Sequence, residues 1–278
     1  MAIVDICITT YRAVDKLKMC LASVIEHTKF VDYKIYLMAN DPNDDIKQAI
    51  NNTLYVDDIL ITDRVEVIYN DSNNGSFSLN NNELVKFGDS KYILFLNDDI
   101  MPINDDWLCN MVRILDTDAN VGIVGAQLLY PGQTLIQSCG TIFSQRTNDL
   151  PFHIFYRQPL KDHLDYISKA RYYQAVCGAC MLVRRDDFTQ VGGFDEDFFY
   201  CFEDPAYCLS VAKKLKHSIV YCPDAKLVHM EGITSLDNKD KPHLKENVAV
   251  MKEKYKGYYF NDDLFYIKNP NHMIYRYK

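Results

Sequence analysis

Over the first hundred residues, short β-branched runs alternate with amphipathic stretches, and that alternation restricts the chain to a parallel sheet with crossover helices. Ile3 to Thr9, Tyr33 to Met38, Val65 to Tyr69 and Tyr92 to Leu96 read as strands. Between the first two, Asp15 offers an N-cap, and Leu17, Cys20, Leu21, Val24 and Ile25 recur at helical spacing to give one apolar face. The polar segment Asn40 to Asp45 supplies a loop and a helix start before Ile46, Ala49 and Ile50. A turn at Asn73-Asn74-Gly75 precedes a helix around Asn80 to Phe87, and a further helix is expected from Asp105 to Leu115. The first hundred residues are therefore a βαβαβαβ unit.

In open sheets of this kind ligands sit where loops leave the carboxyl ends of the strands. Those ends carry Thr10-Tyr11-Arg12, Asn40-Asp41, Asn73-Asn74-Gly75 and Asn97-Asp98-Asp99. The chain has neither G-x-G-x-x-G nor a P-loop, so a pyrophosphate bound here needs another source of neutralisation.

With 278 residues, 48% of them hydrophobic, the chain can bury one large core with appendages. A net charge of −8 disfavours a broad nucleic-acid-binding surface. The nine cysteines are scattered, with Cys177 and Cys180 forming an isolated C-x-x-C, and read as reduced thiols of a cytoplasmic protein. No basic leader and no run of about 18 apolar residues is present, so neither export nor a membrane anchor is expected.

The run Tyr92 to Leu96 drives a buried strand straight into Asn97-Asp98-Asp99. Adjacent carboxylates there are costly unless compensated, and hard oxygen ligands suit Mg2+ or Mn2+ completed by water and phosphate. The other reading is an Asx turn that starts the next helix. Further on come Gly178-Ala179 within Val176 to Arg185, the turn Gly192-Gly193-Phe194-Asp195-Glu196, and Glu203-Asp204 before Pro205, read as the first residue of a helix. His229 ends a short strand after Pro223. Taken alone, Asp204 is an N-cap or a base, His229 a hydrogen-bonded residue or a ligand, and Gly178-Ala179 a packing accommodation or a close approach to a sugar.

Taken in order, these pieces resemble a family 2 inverting glycosyltransferase of the GT-A fold, rhamnosyltransferases among them, over about Ile3 to His229. The resemblance implies a nucleotide-sugar-binding half at 1–100, an acceptor half of the same domain at 101–235, and a C-terminal helix and tail at 236–278. It implies that Asp99 and His229 hold Mn2+ or Mg2+, with Asp98 on donor ribose or phosphate. Thr10, Tyr11, Arg12, Asn40, Asp41, Asn74, Asn81, Gly178 and Ala179 would line the donor pocket, and Asp195 and Glu203 the acceptor side. Asp204 matches the general base. The expected reaction moves a sugar from a nucleotide-diphosphate donor to a hydroxyl, on a saccharide first, on a protein or hydroxylated DNA base otherwise. Where the family has other residues, this chain has Arg12, Ala39, Asn97, Ala206 and Ser210, and Ala39, Ala206 and Ser210 suggest the other class of reading, a nucleotide-sugar or glycan-binding module without transfer. The stretch Ser144 to Tyr173 reads as a loop that can close as a lid, and Lys241 to Tyr255 as a helix before a Tyr-rich tail that covers the site, pairs with another subunit or caps the sheet.

Overall fold

The computed structural model describes residues 3–11, 13–56, 59–60, 63–71, 75–199, 201–230 and 243–277. The first half runs β1 (Val4–Thr10), α1 (Val14–His27), β2 (Tyr33–Asn40), α2 (Asp44–Thr53), a small hairpin of β3 (Tyr55–Val56) and β4 (Ile59–Leu60), β5 (Val65–Asn70), α3 (Phe77–Leu84) and β6 (Tyr92–Asn97). Next come β7 (Ile100–Pro102), α4 (Trp107–Thr117), β8 (Val121–Leu129), β9 (Ile136–Ser138), β10 (Thr141–Ser144), β11 (Leu150–His153), α5 (Leu164–Ile167) and β12 (Arg171–Tyr173). The chain continues through β13 (Cys180–Arg184), α6 (Arg185–Val191), α7 (Glu203–Leu215), β14 (Ser218–His229), α8 (Leu244–Lys254) and α9 (Asp263–Lys268).

The central sheet has the order β12-β14-β8-β13-β6-β1-β2-β5, with β7 attached to β14 and β9 to β8. β6, β1, β2 and β5 are parallel neighbours, as the sequence alternation requires. β13 then enters antiparallel between β6 and β8. Both faces are covered, which explains the continuous apolar runs. Ile6, Ile8, Leu94 and Leu96 pack under α1 and α4, while Cys7, Ile93 and Phe95 face Phe188, Phe194, Tyr207 and Val211 on the other side. No helix among the described residues is long and apolar enough to cross a membrane.

Several sequence expectations are corrected. The N-cap of α1 is Ala13, with Asp15 inside the first turn, where its carboxylate favours the helix dipole. β2 runs on to Asn40 because that residue still pairs with Asn70 of β5. α3 starts at Phe77, since the Ser76 hydroxyl accepts from Leu79 N and caps it there, and Val85–Phe87 form only a 3-10 turn. α4 begins at Trp107, two residues later than expected. The strand ending at His229 is 12 residues long and runs through Pro223, where its pairing with β8 shifts register between Cys222 and Lys226, as a proline without an N–H demands.

The stretch from Ser144 to Tyr173 is not an open lid. β10 and β11 pair, and Ile142, Ile154, Tyr166, Ile167 and Tyr173 close a satellite core. The tail caps the sheet. Tyr275 N donates to Ala170 O and Tyr172 N to Met273 O, which places the chain end beside β12. Arg171 is fully buried there, its guanidinium over the Tyr166 ring at 3.8 Å and donating to the carbonyls of Tyr166, His272 and Pro270.

Candidate active site

β1, β2 and β6 deliver Thr10, Asn40 and Asn97-Asp98-Asp99 to one edge of the sheet. The Thr10 hydroxyl donates to Asp98 Oδ2 at 2.6 Å. Desolvation pushes the Asp98 carboxyl up to about 6, a tendency the Thr10 hydrogen bond partly counters. Asn40 Nδ2 donates to Thr10 O at 3.4 Å, and Asn70 Nδ2 donates to the side-chain oxygens of Asn40 and Asn80. A ladder of amides thus continues the polar edge from β1 to α3.

Asp99 and His229 stand 130 residues apart in the chain and meet through strand pairing. β7 follows Asp99 at once and runs antiparallel to the end of β14, with Ile100 opposite His229 and Met230 N donating to Asp99 O. His229 Nε2 consequently lies 3.0 Å from Asp99 Oδ1. The other ring nitrogen, Nδ1, is 2.7 Å from Gln137 Oε1 on β9, a contact that orients the ring with Nε2 toward the carboxylate. Lys16 Nζ, from the first turns of α1, is 3.3 Å from Asp99 Oδ2. Burial raises the Asp99 carboxyl, yet the His229 and Lys16 contacts outweigh it and hold the group below its ordinary value.

At 3.0 Å His229 Nε2 and Asp99 Oδ1 are within hydrogen-bonding distance, and a cation bound between them would take the place of the shared proton. That spacing is also what two ligands at right angles around an ion have when each is about 2.1 Å away. The Asp99 and His229 pair therefore fits a divalent cation. Among the described residues no third His, Cys, Asp or Glu joins them, so further ligands fall to substrate phosphate and water.

Asp204 is reached from the opposite side. Its Oδ2 accepts from Gly178 N at 2.7 Å, and burial pushes its carboxyl up to about 6 against the help of that bond. A Cβ on Gly178 would lie 2.7 Å from Asp204 Cβ, so the glycine is there for the approach of Asp204 itself. The neighbouring Ala179 O accepts from Asn97 N at 3.0 Å. Gly178-Ala179 is therefore a two-residue link between the Asp98-Asp99 corner and Asp204.

α7 begins at Glu203, with Phe202 as its N-cap, so Pro205 is the third helical residue and not the first. Proline is tolerated there because first-turn N–H groups lack intrahelical partners anyway. Cys201 and Phe202 both adopt left-handed backbone, at φ 75 and 73, a strained corner for residues with side chains. Phe198 is buried against Tyr255, and Phe194 against Phe95 and Tyr207, so these two aromatics pack under the corner.

The remaining residues singled out by sequence are distributed unevenly. Tyr11 is 48% exposed at the rim. Asp41 has left-handed backbone, and its N donates to Asn70 O. Asn81 is buried, and its amide donates to Phe77 O of its own helix. Asp195 binds Lys254 at the end of α8 and the hydroxyl of Tyr255 just after it, and Glu203 is buried in the first turn of α7. Arg12 and Asn74 lie outside the described residues. Lys16, Gln137, Asn70 and Asn80 were not foreseen; the only signal for Lys16 is its place in the first helical turns after the β1 loop.

The chain as a whole matches a known family, and its fold recurs in solved structures. The family model for glycosyltransferase like family 2 matches residues 2–249. The uncharacterized protein y4gI of Sinorhizobium fredii is 26% identical over 274 residues, covering 97% of this chain and 29% of that protein. The O-antigen biosynthesis protein RfbC of Myxococcus xanthus is 26% identical over 222 residues, 78% of this chain and 16% of that protein. The chain thus spans less than a third of the length of either relative. The structure of GalNAc-T7 with UDP, GalNAc and Mn2+ superposes with a TM-score of 0.70 at 14% identity, covering 97% of this chain and 51% of that one. With a GT-A sheet, carboxylates at its edge and a family match over nearly its whole length, the chain belongs to glycosyltransferase like family 2.

Proposed function

We propose that this domain transfers a glycosyl group from a nucleotide-diphosphate sugar to an acceptor hydroxyl, with inversion, and that it uses Mn2+ or Mg2+. The observation that carries the reading is the pairing of Asp99 with His229 at 3.0 Å, joined by the Gly178-Ala179 link to a carboxylate of raised pKa on α7. GalNAc-T7, seen with UDP, GalNAc and Mn2+, supports donor and metal class, and the role of the M. xanthus relative in O-antigen biosynthesis supports a saccharide acceptor. Nine free thiols suit a cytoplasmic location, where nucleotide sugars are met.

In this reading Asp204 accepts the proton of the acceptor hydroxyl. The oxygen uses the freed pair to bond the anomeric carbon from the face opposite the nucleotide. The bond from that carbon to the diphosphate oxygen breaks and leaves its electrons on phosphate. A carboxyl near 6 is ionised at neutral pH and still basic enough to draw the proton. A divalent cation, when bound, supplies charge neutralisation to the departing diphosphate. Asp99 and His229 hold it, Thr10 aligns Asp98 toward ribose or phosphate, and Tyr11, Asn40 and Asp41 flank the nucleoside. Asp195, held by Lys254 of α8, and Glu203 serve the acceptor side.

The test is a thermal-shift screen of UDP-, GDP-, dTDP- and CMP-sugars with Mn2+ and with chelator, followed by transfer assays. One nucleotide family should raise the melting temperature only with metal. Asp204→Asn should keep that shift and lose transfer, and Asp99→Ala should lose the shift. Transfer by Asp204→Asn at the parent rate would remove the base from the scheme.

A further inference from the structure

Beside the His229 strap lies a group of side chains that the donor chemistry does not use. β8 runs parallel to β14 with Leu129 opposite Val228, so Tyr130 stands level with His229 on the same sheet edge. A turn at 155–158 folds back over β9. Arg157 N donates to Ile136 O at 2.8 Å and Ile136 N to Gln158 O at 3.0 Å, and the residue after Ile136 is Gln137, which fixes His229. The backbone of Arg157 is thereby tied to the strand whose next residue contacts His229.

The Arg157 guanidinium lies 5.3 Å from the Tyr156 ring and 5.9 Å from that of Tyr130, and those rings are 6.0 Å apart at 59°. His153, positioned by hydrogen bonds to the hydroxyls of Ser138 and Thr141, backs Tyr156 at 6.3 Å. Among the described residues the charged and titratable neighbours of Arg157 are these two tyrosines, with no carboxylate paired to it, in a chain of net charge −8. Phe155 and Arg157 both adopt left-handed backbone, at φ 56 and 60. Phe155 is locked by stacking on His163 at 3.9 Å and by an edge contact with Tyr166, so the strained turn is held in place by its surroundings. A planar fork of donors pre-oriented by two rings, with Tyr156 41% exposed, suits one task well: a sugar ring against the aromatic face and an anion on the fork.

We infer that Tyr130, Tyr156 and Arg157 form an acceptor subsite that selects a saccharide carrying an anionic group, a carboxylate or a phosphate. This rests on the transferase reading, since the subsite is defined by its place beside the catalytic edge.

The test measures binding of nitrophenyl β-glucuronide, nitrophenyl β-glucoside and nitrophenyl β-glucoside 6-phosphate to the whole chain, with Mn2+ and UDP or GDP present. At least one anionic sugar should bind about tenfold more tightly than the neutral one, as a charge-assisted pair on an accessible Arg gives. Which of the two does so separates carboxylate from phosphate. Arg157→Gln should reduce the anionic sugar to the level of the glucoside and leave nucleotide binding unchanged, Arg157→Lys should keep part of the preference, and Tyr156→Ala should weaken all three sugars. Equal binding of charged and neutral sugars by the parent, no binding of either anion while nucleotide still binds, or an undiminished preference in Arg157→Gln would overturn the subsite. Failure of the parent to bind any nucleotide would instead overturn the transferase reading beneath it.

Discussion

Replacing Asp204 by Asn should stabilise the protein while removing its transfer activity. The native fold holds this carboxyl at about 6, against an ordinary 3.8, chiefly because it is desolvated. A group whose native pKa is raised binds its proton more tightly in the folded chain, so folding is favoured while it is protonated and loses ground as pH climbs from about 4 to 6. Above that window the whole penalty is present, at about 1.4 kcal/mol for each pH unit of difference, or about 3 kcal/mol at most. The side chain is only half-buried, and solvent screening reduces this to about 2 kcal/mol at neutral pH. An asparagine keeps an oxygen for Gly178 N and carries no charge to desolvate. Urea unfolding of parent and variant at several pH values measures the difference directly. The variant should gain about 2 kcal/mol near pH 7.5, with the gain shrinking toward pH 5. A variant less stable than the parent at pH 7.5, or a difference independent of pH, would refute the claim that Asp204 is an ionised group held in an unfavourable place. The same value predicts an acid limb near pH 6 in kcat for the parent, rising with pH as the base deprotonates.

Gly178→Ala should push Asp204 away, because its new Cβ falls 2.7 Å from that of Asp204; a loss of about 1–3 kcal/mol in unfolding and a large fall in kcat are expected together. Gln137→Leu should weaken Mn2+ binding about tenfold through loss of the His229 Nδ1 partner, read by calorimetry with the nucleoside diphosphate present. Arg171→Met strips donors from the carbonyls of Tyr166, Pro270 and His272. It should cost about 2–4 kcal/mol and open the tail to limited proteolysis, whereas an unchanged digestion pattern would mean the tail is held by its tyrosines alone.

The first half of the fold was legible because period-two and helical patterns are local, and because polar residues interrupt apolar strands only where those strands end. Thr10, Asn40 and Asp98 could be assigned to one edge from that rule alone, and the structure brings them there. Element ends were read less well. Ser76 caps α3 four residues before Asn80, where the helix is expected from sequence, and the start of α7 depends on two left-handed residues, Cys201 and Phe202, that carry no glycine to announce them. Tertiary packing of Phe194 and Phe198 fixes that corner, and packing partners cannot be read from spacing.

The meeting of Asp99 with His229 is the part that no local pattern contains. It depends on β7, three residues long, turning back onto the last residues of a strand that begins more than a hundred positions later. Lys16 and Gln137 are invisible for the same reason, since each matters only through a carboxylate or an imidazole supplied from elsewhere in the chain. Family resemblance supplied His229 because it preserves the outcome of the fold without its geometry. In the proposed scheme the side chains around Asp99 differ in what they would offer a metal: His229 would give a second ligand, whereas Lys16 would compete for the same carboxylate. Lys16→Met should therefore tighten Mn2+ binding when no nucleotide is present and weaken the binding of nucleoside diphosphate, whose charge the lysine would otherwise meet once released from Asp99. Calorimetric titrations of Mn2+ alone and of UDP or GDP with Mn2+ measure the two effects separately, and a variant that binds metal no more tightly than the parent would show that Lys16 leaves Asp99 free for the ion.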